Sequence, residues 1–332
     1  AIFGKTEGNG LVNDFTRGFA NAALTQLLER FVSRERAAQV CLVMSGGTEG
    51  AMAPHWLVFE RGANTAGTVS SRPALALGQA HTAPLRPEQL GRLAQVDAVA
   101  AGVRDAMRNA GLDDPADVHF VQVKCPLLTG SRIAEADARG ATVAVRNTLK
   151  SMGLSRGASG LGVGVALGEI VRDTLTDAAI GNDLRLWSGR ASCSAGIELL
   201  GHEIVVLGMS AAWSGPLAID HAVMADAIDI EPVRAALARL GLGGTGQLSS
   251  ADQQRLIALL SKAEPSSDGT LRNRRHTMLD DCDISPTRHA RAFVAGALAG
   301  LVGHAEIFVS GGAEHQGPDG GGPVAVIVDR GV

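Results

Sequence analysis

Tyrosine is absent from this 332-residue chain, and tryptophan and phenylalanine number only three and eight. So thin an aromatic complement excludes a base-stacking surface and an aromatic-dominated core. Long runs of one charge are missing too. Thirty basic residues stand interspersed with thirty-four acidic ones, which leaves no electrostatic footprint for nucleic acid or an anionic membrane and predicts neither partner. The four cysteines, Cys41, Cys125, Cys193 and Cys282, follow no disulfide or metal-ligand spacing and predict a reducing cytoplasm. No apolar run reaches the roughly 20 residues of a spanning helix. The most apolar stretches, 157–171 and 292–302, are rich in Gly and Ala and read as buried helices. No initiator Met or charged-then-apolar leader opens the chain, which begins at "AIFGK" within an expected strand, so the first unit is expected to be incomplete at its N-terminal side.

Glycine is abundant, at 42 residues, and 45% of the chain is hydrophobic. The first predicts tight turns and close backbone approaches, the second a buried core in a chain long enough for two or three domains. The pattern Ser-[Gly/Ala]-Gly-x-Glu occurs three times, in "MSGGTEG" (44–50), "CSAGIEL" (193–199) and "VSGGAEH" (309–315). Other features recur around it in a fixed order. A Lys follows an apolar run at Lys5, Lys124 and Lys262; the first two runs read as strands, whereas "LIALLSK" is compatible with a helix by periodicity. An Arg then precedes a small-residue apolar helix at Arg17, Arg156 and Arg291, where the spacing to Leu298 favours Arg291 over its competitor Arg288. Apolar strands end at Ser45 and Ser310, with Ser194 equivalent behind a less apolar approach, and another apolar strand follows each motif. "RPALALG" and "GPLAID" open the next copies, each leading to a helix closed by Gly, "VRDAMRNAGL" and "VRAALARLGL". The units run 1–66, 72–213 and 216–332, with a Gly/Ser/Thr linker at 62–71 and a joint near 210–215. Strands alternating with helices make each unit α/β or α+β.

No His recurs through the copies, so a nucleophilic Ser has only Lys as its base. A Lys can serve when neutral, and burial beside an Arg lowers its pKa toward that state. Glycine after each Ser permits a sharp turn that presents two N–H groups to an oxyanion, worth roughly 3 kcal/mol per donor. Three copies packed about an axis would ring one pocket with three Lys, three Arg and three Ser, a match for a small ring that is itself nearly threefold. One Ser-Gly-Gly turn, or one Lys on a surface, signifies little; repetition of polar positions that folding alone does not require carries the reading. The residues themselves leave open which Ser is the nucleophile. His315 and Cys193, each beside one motif, recur in no other copy and read as structural.

The segments "GKTEGNG", "VNDFTR", "MSGGTEG", "VQVKCPLLT", "SMGLSRGAS", "ASCSAGIEL", "RRHTMLDD" and "SGGAEHQGPDGGGP" span almost the whole chain. They resemble the signatures of the cyanuric acid hydrolase and barbiturase family of cyclic amide hydrolases. The resemblance implies three structurally similar domains around a pseudo-threefold axis with one central active site. It implies Ser194 as nucleophile and Lys124 as base. Arg17, Arg156, Arg291, Ser45 and Ser310, with the backbone at Gly46, Ala195 and Gly311, would bind the substrate, and Lys5 and Lys262 would polarise and orient it. No organic cofactor is implied, but a structural divalent ion is, Mg²⁺ or Ca²⁺, held by Glu264, Ala313, Gln316, Gly317, Pro318 and Gly321, mainly through main-chain carbonyls. The same Gly-rich tail lacks the Lys-[Ser/Thr] ending of a phosphate-binding loop. The expected reaction is opening of the s-triazine ring of cyanuric acid, a small cyclic imide, to carboxybiuret and then biuret and CO₂, by a homotetramer. "SRGAS" and "VSGGAEH" are similar to the cyanuric acid branch. Barbituric acid, giving ureidomalonate, is the alternative substrate, and a non-catalytic threefold binding protein is the alternative of another class.

Overall fold

The computed structural model describes residues 1–62 and 72–331, so the linker expected at 62–71 lies, apart from its first residue, outside the described residues. The chain forms an α/β fold built from similar sheet repeats. The first comprises β1 (Ile2–Thr6), α1 (Phe15–Leu28), α2 (Arg34–Ala37), β2 (Leu42–Gly46) and β3 (His55–Val58), with strand order β2-β1-β3. The second comprises β4 (Ala74–His81), α3 (Leu93–Ala110), β5 (Val118–Pro126), α4 (Gly130–Ala138), α5 (Thr148–Ala166), β6 (Ala191–Gly196) and β7 (Glu203–Ser210), in the order β4-β7-β5-β6. The third comprises β8 (Leu217–Met224), α6 (Glu231–Arg239), α7 (Ser250–Arg255), β9 (Leu256–Ala263), the small hairpin β10 (Thr270–Leu271) and β11 (Arg274–Arg275), α8 (Pro286–Val302), β12 (Phe308–Gly311) and β13 (Gly322–Asp329), in the order β12-β9-β13-β8.

The second and third sheets share one order: opening strand, final strand, Lys strand, Ser strand. The first has the last three of these and no counterpart of the opening strand among the described residues. "LIALLSK", ambiguous by periodicity, is the strand β9, paired with β12 on one side and β13 on the other, where a helix would leave both neighbours without ladder partners. The apolar stretches near 157–171 and 292–302 fall largely in the helices α5 and α8. Among the described residues no helix is long and apolar enough to cross a membrane.

In every repeat the Lys strand and the Ser strand run parallel, joined by a crossover that contains the Arg-bearing helix, α1, α5 or α8. The Ser strand lies at the edge of each sheet, so alternate N–H and C=O groups along it face away from the ladder. Side chains two apart on a strand share a face. Phe3 therefore aligns with Lys5, Phe120 and Gln122 with Lys124, and Leu260 with Lys262. That face is turned to a core shared by all three sheets, in which Phe3, Phe120, Leu207, Leu260, Phe308 and Ile327 pack together. Each Lys thus prolongs an apolar face to the carboxyl end of its strand, where open α/β sheets place their ligands.

Candidate active site

A cavity opens at those strand ends, lined by Gly10, Arg17, Met44, Ser45, Gly46, Lys124, Met152, Arg156, Ser194, Ala195, Arg291, Ser310 and Gly311. Ten of the twelve residues expected to be catalytic or substrate-binding line it; Lys5 and Lys262 lie just behind, with their Nζ atoms on Ser45 and Ser310. Gly10, Met44 and Met152 are lining residues that the sequence did not single out.

The register of the parallel pairs repeats without a shift: Lys5 lies opposite Ser45, Lys124 opposite Ser194, and Lys262 opposite Ser310. Lys5 Nζ is 3.3 Å from Ser45 Oγ and Lys262 Nζ is 3.3 Å from Ser310 Oγ. The three lysines also reach across the repeats in a closed cycle. Lys5 donates to Val309 O at 2.8 Å, Lys262 to Cys193 O at 2.8 Å, and Lys124 to Met44 O at 2.6 Å. Each acceptor is the residue just before the Ser of another repeat, on the side of its edge strand that faces away from the ladder. Burial, reinforced by a neighbouring arginine, lowers all three amines: Lys5 well below its ordinary range through Arg291 and Lys262 to about 7 through Arg156, while Arg17 assists at Lys124.

The arginines close a second cycle in the opposite sense, using the Glu of the repeated motif. Arg156 donates to Glu314 through Nε at 2.8 Å and Nη2 at 2.6 Å, and Arg291 donates to Glu49 through Nε at 2.9 Å and Nη2 at 2.5 Å. Arg17 faces Glu198, with Nε 3.7 Å from Oε1. Arg288 also bonds Glu49 but its side chain is 40% exposed and does not line the cavity, whereas that of Arg291 is 4% exposed and does. The second glycine of each motif makes room for these heads. A Cβ at Gly312 would fall within the Arg156 guanidinium, one at Gly47 against Arg291, and one at Gly196 against Glu198. Gly47 and Gly312 also take positive φ, 97° and 79°. Gly312→Ala is accordingly expected to cost about 1–2 kcal/mol of stability through the left-handed backbone. It should also raise KM by at least about tenfold by swinging Arg156 off Glu314; thermal melts and steady-state kinetics check the two parts separately.

The turn supplies fewer free N–H groups than the sequence suggested. The N–H of Gly47 is spent on Thr6 O at 2.8 Å and that of Gly312 on Ala263 O at 3.2 Å. By strand alternation one N–H per motif, that of Gly46, Ala195 or Gly311, points away from the ladder.

The middle copy differs from its relatives. Ser194 Oγ is buried without a hydrogen-bond partner among the described residues. Lys124 Nζ instead lies 2.9 Å from Glu198 Oε1, and Glu198 makes no hydrogen bond to Arg17.

The sequence assigned no role to Glu49, Glu198 and Glu314, although their constant position four residues after each Ser was in view. Of the loop expected to hold a divalent ion, Glu264 is a partly buried carboxylate whose pKa burial and nearby Glu314 raise to about 7, with Thr287 Oγ1 at 3.1 Å as its side-chain partner. Two carboxylates near the single Arg156 fit an oxygen-ligated cation. The side chain of Gln316 is occupied, accepting from Cys193 N at 2.5 Å and donating to Gly312 O and Glu314 O, so it offers only its carbonyl. Ala313 O and Pro318 O each accept one backbone bond, from Gln316 N and Gly321 N, and keep a second lone pair. A separate trio, His119, Asp220 and His221, also has ligand atoms within 4.8 Å of one another. It lies five positions before Lys124 on β5, roughly 16 Å away along the strand. His119 and His221 already bond each other at 2.9 Å and Asp220 bonds Arg239 at 2.5 Å. His315 is wholly engaged by backbone, Nδ1 with Leu186 O at 2.6 Å and Nε2 with Gly181 N at 2.7 Å, and burial raises the Cys193 thiol well above its ordinary range, so neither is poised for catalysis.

Residues 1–329 match the family described as Amidohydrolase ring-opening protein. The chain is 66% identical over 330 residues to the cyanuric acid amidohydrolase of Azorhizobium caulinodans, covering 99% of this chain and 89% of the relative. It is 62% identical over 332 residues to that of Bradyrhizobium sp. strain ORS 375, with 99% and 89% covered. The solved cyanuric acid hydrolase of A. caulinodans superposes with a TM-score of 0.91 at 64% identity, covering 100% of this chain and 90% of the other. Another solved cyanuric acid hydrolase, described as an evolutionary innovation by structural concatenation, gives 0.94 at 47% identity, with 99% and 90% covered.

Proposed function

The chain belongs to this family of ring-opening amidohydrolases and is a hydrolase acting on cyclic amides, and on that premise we propose that it opens the s-triazine ring of cyanuric acid through Ser194 and Lys124. The observation that carries the reading is the set of three Lys–Ser register pairs, closed into one cycle around a single cavity. A ring with three carbonyls alternating with three N–H groups matches three repeated sets of donors and acceptors. Relatives 66% and 62% identical to the chain are cyanuric acid amidohydrolases, which favours this ring over barbituric acid.

The neutral Lys124 amine takes the proton of Ser194, whose Oγ attacks a ring carbonyl. The developing oxyanion is met by an edge-strand N–H such as that of Ala195. Collapse breaks the ring C–N bond, and the ammonium of Lys124 returns the proton to the departing nitrogen. Water then cleaves the acyl-enzyme to carboxybiuret, which loses CO₂ to give biuret. Arg17, Arg156 and Arg291, with Ser45 and Ser310, hold the other ring groups. Lys5 and Lys262 polarise them from behind those serines.

In this reading the three units, 1–66, 72–213 and 216–332, surround a pseudo-threefold axis through the cavity. A Mg²⁺ or Ca²⁺ ion, held by the Glu264 carboxylate and the carbonyls of Ala313, Gln316, Gly317, Pro318 and Gly321, would offset the Glu264 and Glu314 charges and pin the loop that carries Ser310. A cytoplasmic homotetramer completes the proposal. Purified protein offered cyanuric and barbituric acid separately, followed by ultraviolet absorbance with biuret detection, tests it. Cyanuric acid loss with biuret appearing is the expected result. Loss of barbituric acid alone would move the substrate to the other branch, and loss of neither ring would favour a binding protein.

A further inference from the structure

Three nearly equivalent copies surround the cavity, yet the proposed reaction uses one Ser and one Lys. We infer that Glu198, which shares Arg17 with Asp14 and touches the amine of Lys124, is the positioning residue that makes Lys124, rather than Lys5 or Lys262, the effective base. The inference rests on Lys124 being that base.

The repeats differ at one contact. Glu49 and Glu314 are each bound by two hydrogen bonds from an arginine of another repeat, whereas Glu198 lies 2.9 Å from Lys124 Nζ and bonds no arginine. The residue three before each Arg explains why. Before Arg291 it is Arg288, which adds a further bond to Glu49; before Arg156 it is Gly153, which competes for nothing. Before Arg17 it is Asp14, whose Oδ2 lies 3.7 Å from Arg17 Nη1, while Leu11 O accepts from Arg17 Nη2 at 2.8 Å. Arg17 therefore stands between two carboxylates, 3.7 Å from Asp14 and 3.7 Å from Glu198, spends its one hydrogen bond on its own repeat, and leaves Glu198 without the bidentate clasp that Glu49 and Glu314 have.

The chemical consequence follows from desolvation. All three lysines are buried, and a buried amine that is readily neutral is also a feeble base. A carboxylate in contact restores basicity, because it stabilises the ammonium that forms when Ser194 gives up its proton. Around Lys124 the charged or titratable groups are Glu198, Arg17 on α1, Glu203 on β7 and Cys125 on β5. Of the two carboxylates, Glu203 is turned to Leu42 N at 2.7 Å and burial raises its pKa to about 7, so Glu198 is the one in contact with the amine. Neutralisation of the amine also loosens its hold on Glu198 and lets Nζ swing toward Ser194 Oγ.

The test is the pH dependence of kcat/KM for cyanuric acid. Removing the Glu198 charge destabilises the Lys124 ammonium, so the acid limb of Glu198→Gln is expected to move to lower pH by about one unit or more. The plateau should fall as the base weakens. Asp14→Asn keeps the helix cap, releases Arg17 toward Glu198, and is expected to move the limb the same way should Glu198→Gln fold poorly. Glu49→Gln and Glu314→Gln are expected to raise KM with the limb in place. A limb that stays put or moves to higher pH in both Glu198→Gln and Asp14→Asn overturns the inference, as does an equal displacement in Glu49→Gln and Glu314→Gln. Lys124→Arg, which cannot become neutral, separates the two levels. If it keeps activity with the wild-type limb, Lys124 is not the base and both readings fall; if it is inactive while the limb of Glu198→Gln stays put, only the role of Glu198 falls.

Discussion

Ser194→Ala is expected to lower kcat by about 10⁴-fold or more while the fold and the affinity for cyanuric acid stay near those of the parent. The hydroxyl is buried at the cavity wall and has no hydrogen-bond partner, so its removal leaves no orphaned donor or acceptor and little reason for rearrangement. Ser45 and Ser310 present a different case. Each hydroxyl already accepts from a buried lysine amine at 3.3 Å, and its loss strips that contact from a group that holds the ring. For Ser45→Ala and Ser310→Ala the expected change is about 10- to 100-fold, mostly in KM, corresponding to one such hydrogen bond. Steady-state kinetics, calorimetric titration with cyanuric acid and thermal melts on the three variants decide the matter. Turnover surviving in Ser194→Ala, or equal kcat losses at all three positions, would remove the assignment of the nucleophile.

Much of this site could be read from the order of residues along the chain, for a physical reason. Lys, Arg and Ser recur because each repeat makes the same parallel strand pair with a helical crossover, and local pattern encodes that unit. The third Lys strand was hidden because "LIALLSK" is apolar at almost every position; a strand buried on both faces loses its alternation and looks like a buried helix. The expected pair of free N–H groups at each Ser was halved because ladder hydrogen bonds at Gly47 and Gly312 depend on strand register, which the motif does not contain. The glutamates were the larger loss. Their spacing from Ser was visible, but each one's partner is an arginine in another repeat, and no periodicity within one repeat reports a contact across the cycle. Asp14 was equally opaque: the structure shows that it caps α1 and that the same carboxylate lies beside Arg17.

The second large effect is expected at Lys124. Lys124→Met keeps the length of the side chain and much of its volume while deleting the amine, so it should lower kcat by about 10²- to 10⁴-fold, the range for loss of a general base, with KM little changed. Stability is expected to be nearly preserved. The parent desolvates a charge at this position, and the variant does not, which offsets the lost bond to Met44 O; Glu198, released, can turn to the unpartnered Nε of Arg17. Lys5→Met and Lys262→Met each remove an equivalent link in the cycle, to Val309 O and Cys193 O, and each leaves a serine without its donor. If those two lysines only polarise the ring, their loss should appear chiefly as weaker binding, by about 10- to 100-fold. The comparison therefore separates two uses of one repeated geometry. A kcat loss confined to Lys124→Met means that the copies share a scaffold for binding while covalent chemistry belongs to one of them, and comparable kcat losses at all three mean that the cycle of lysines works as a single unit and that no copy can be assigned the base.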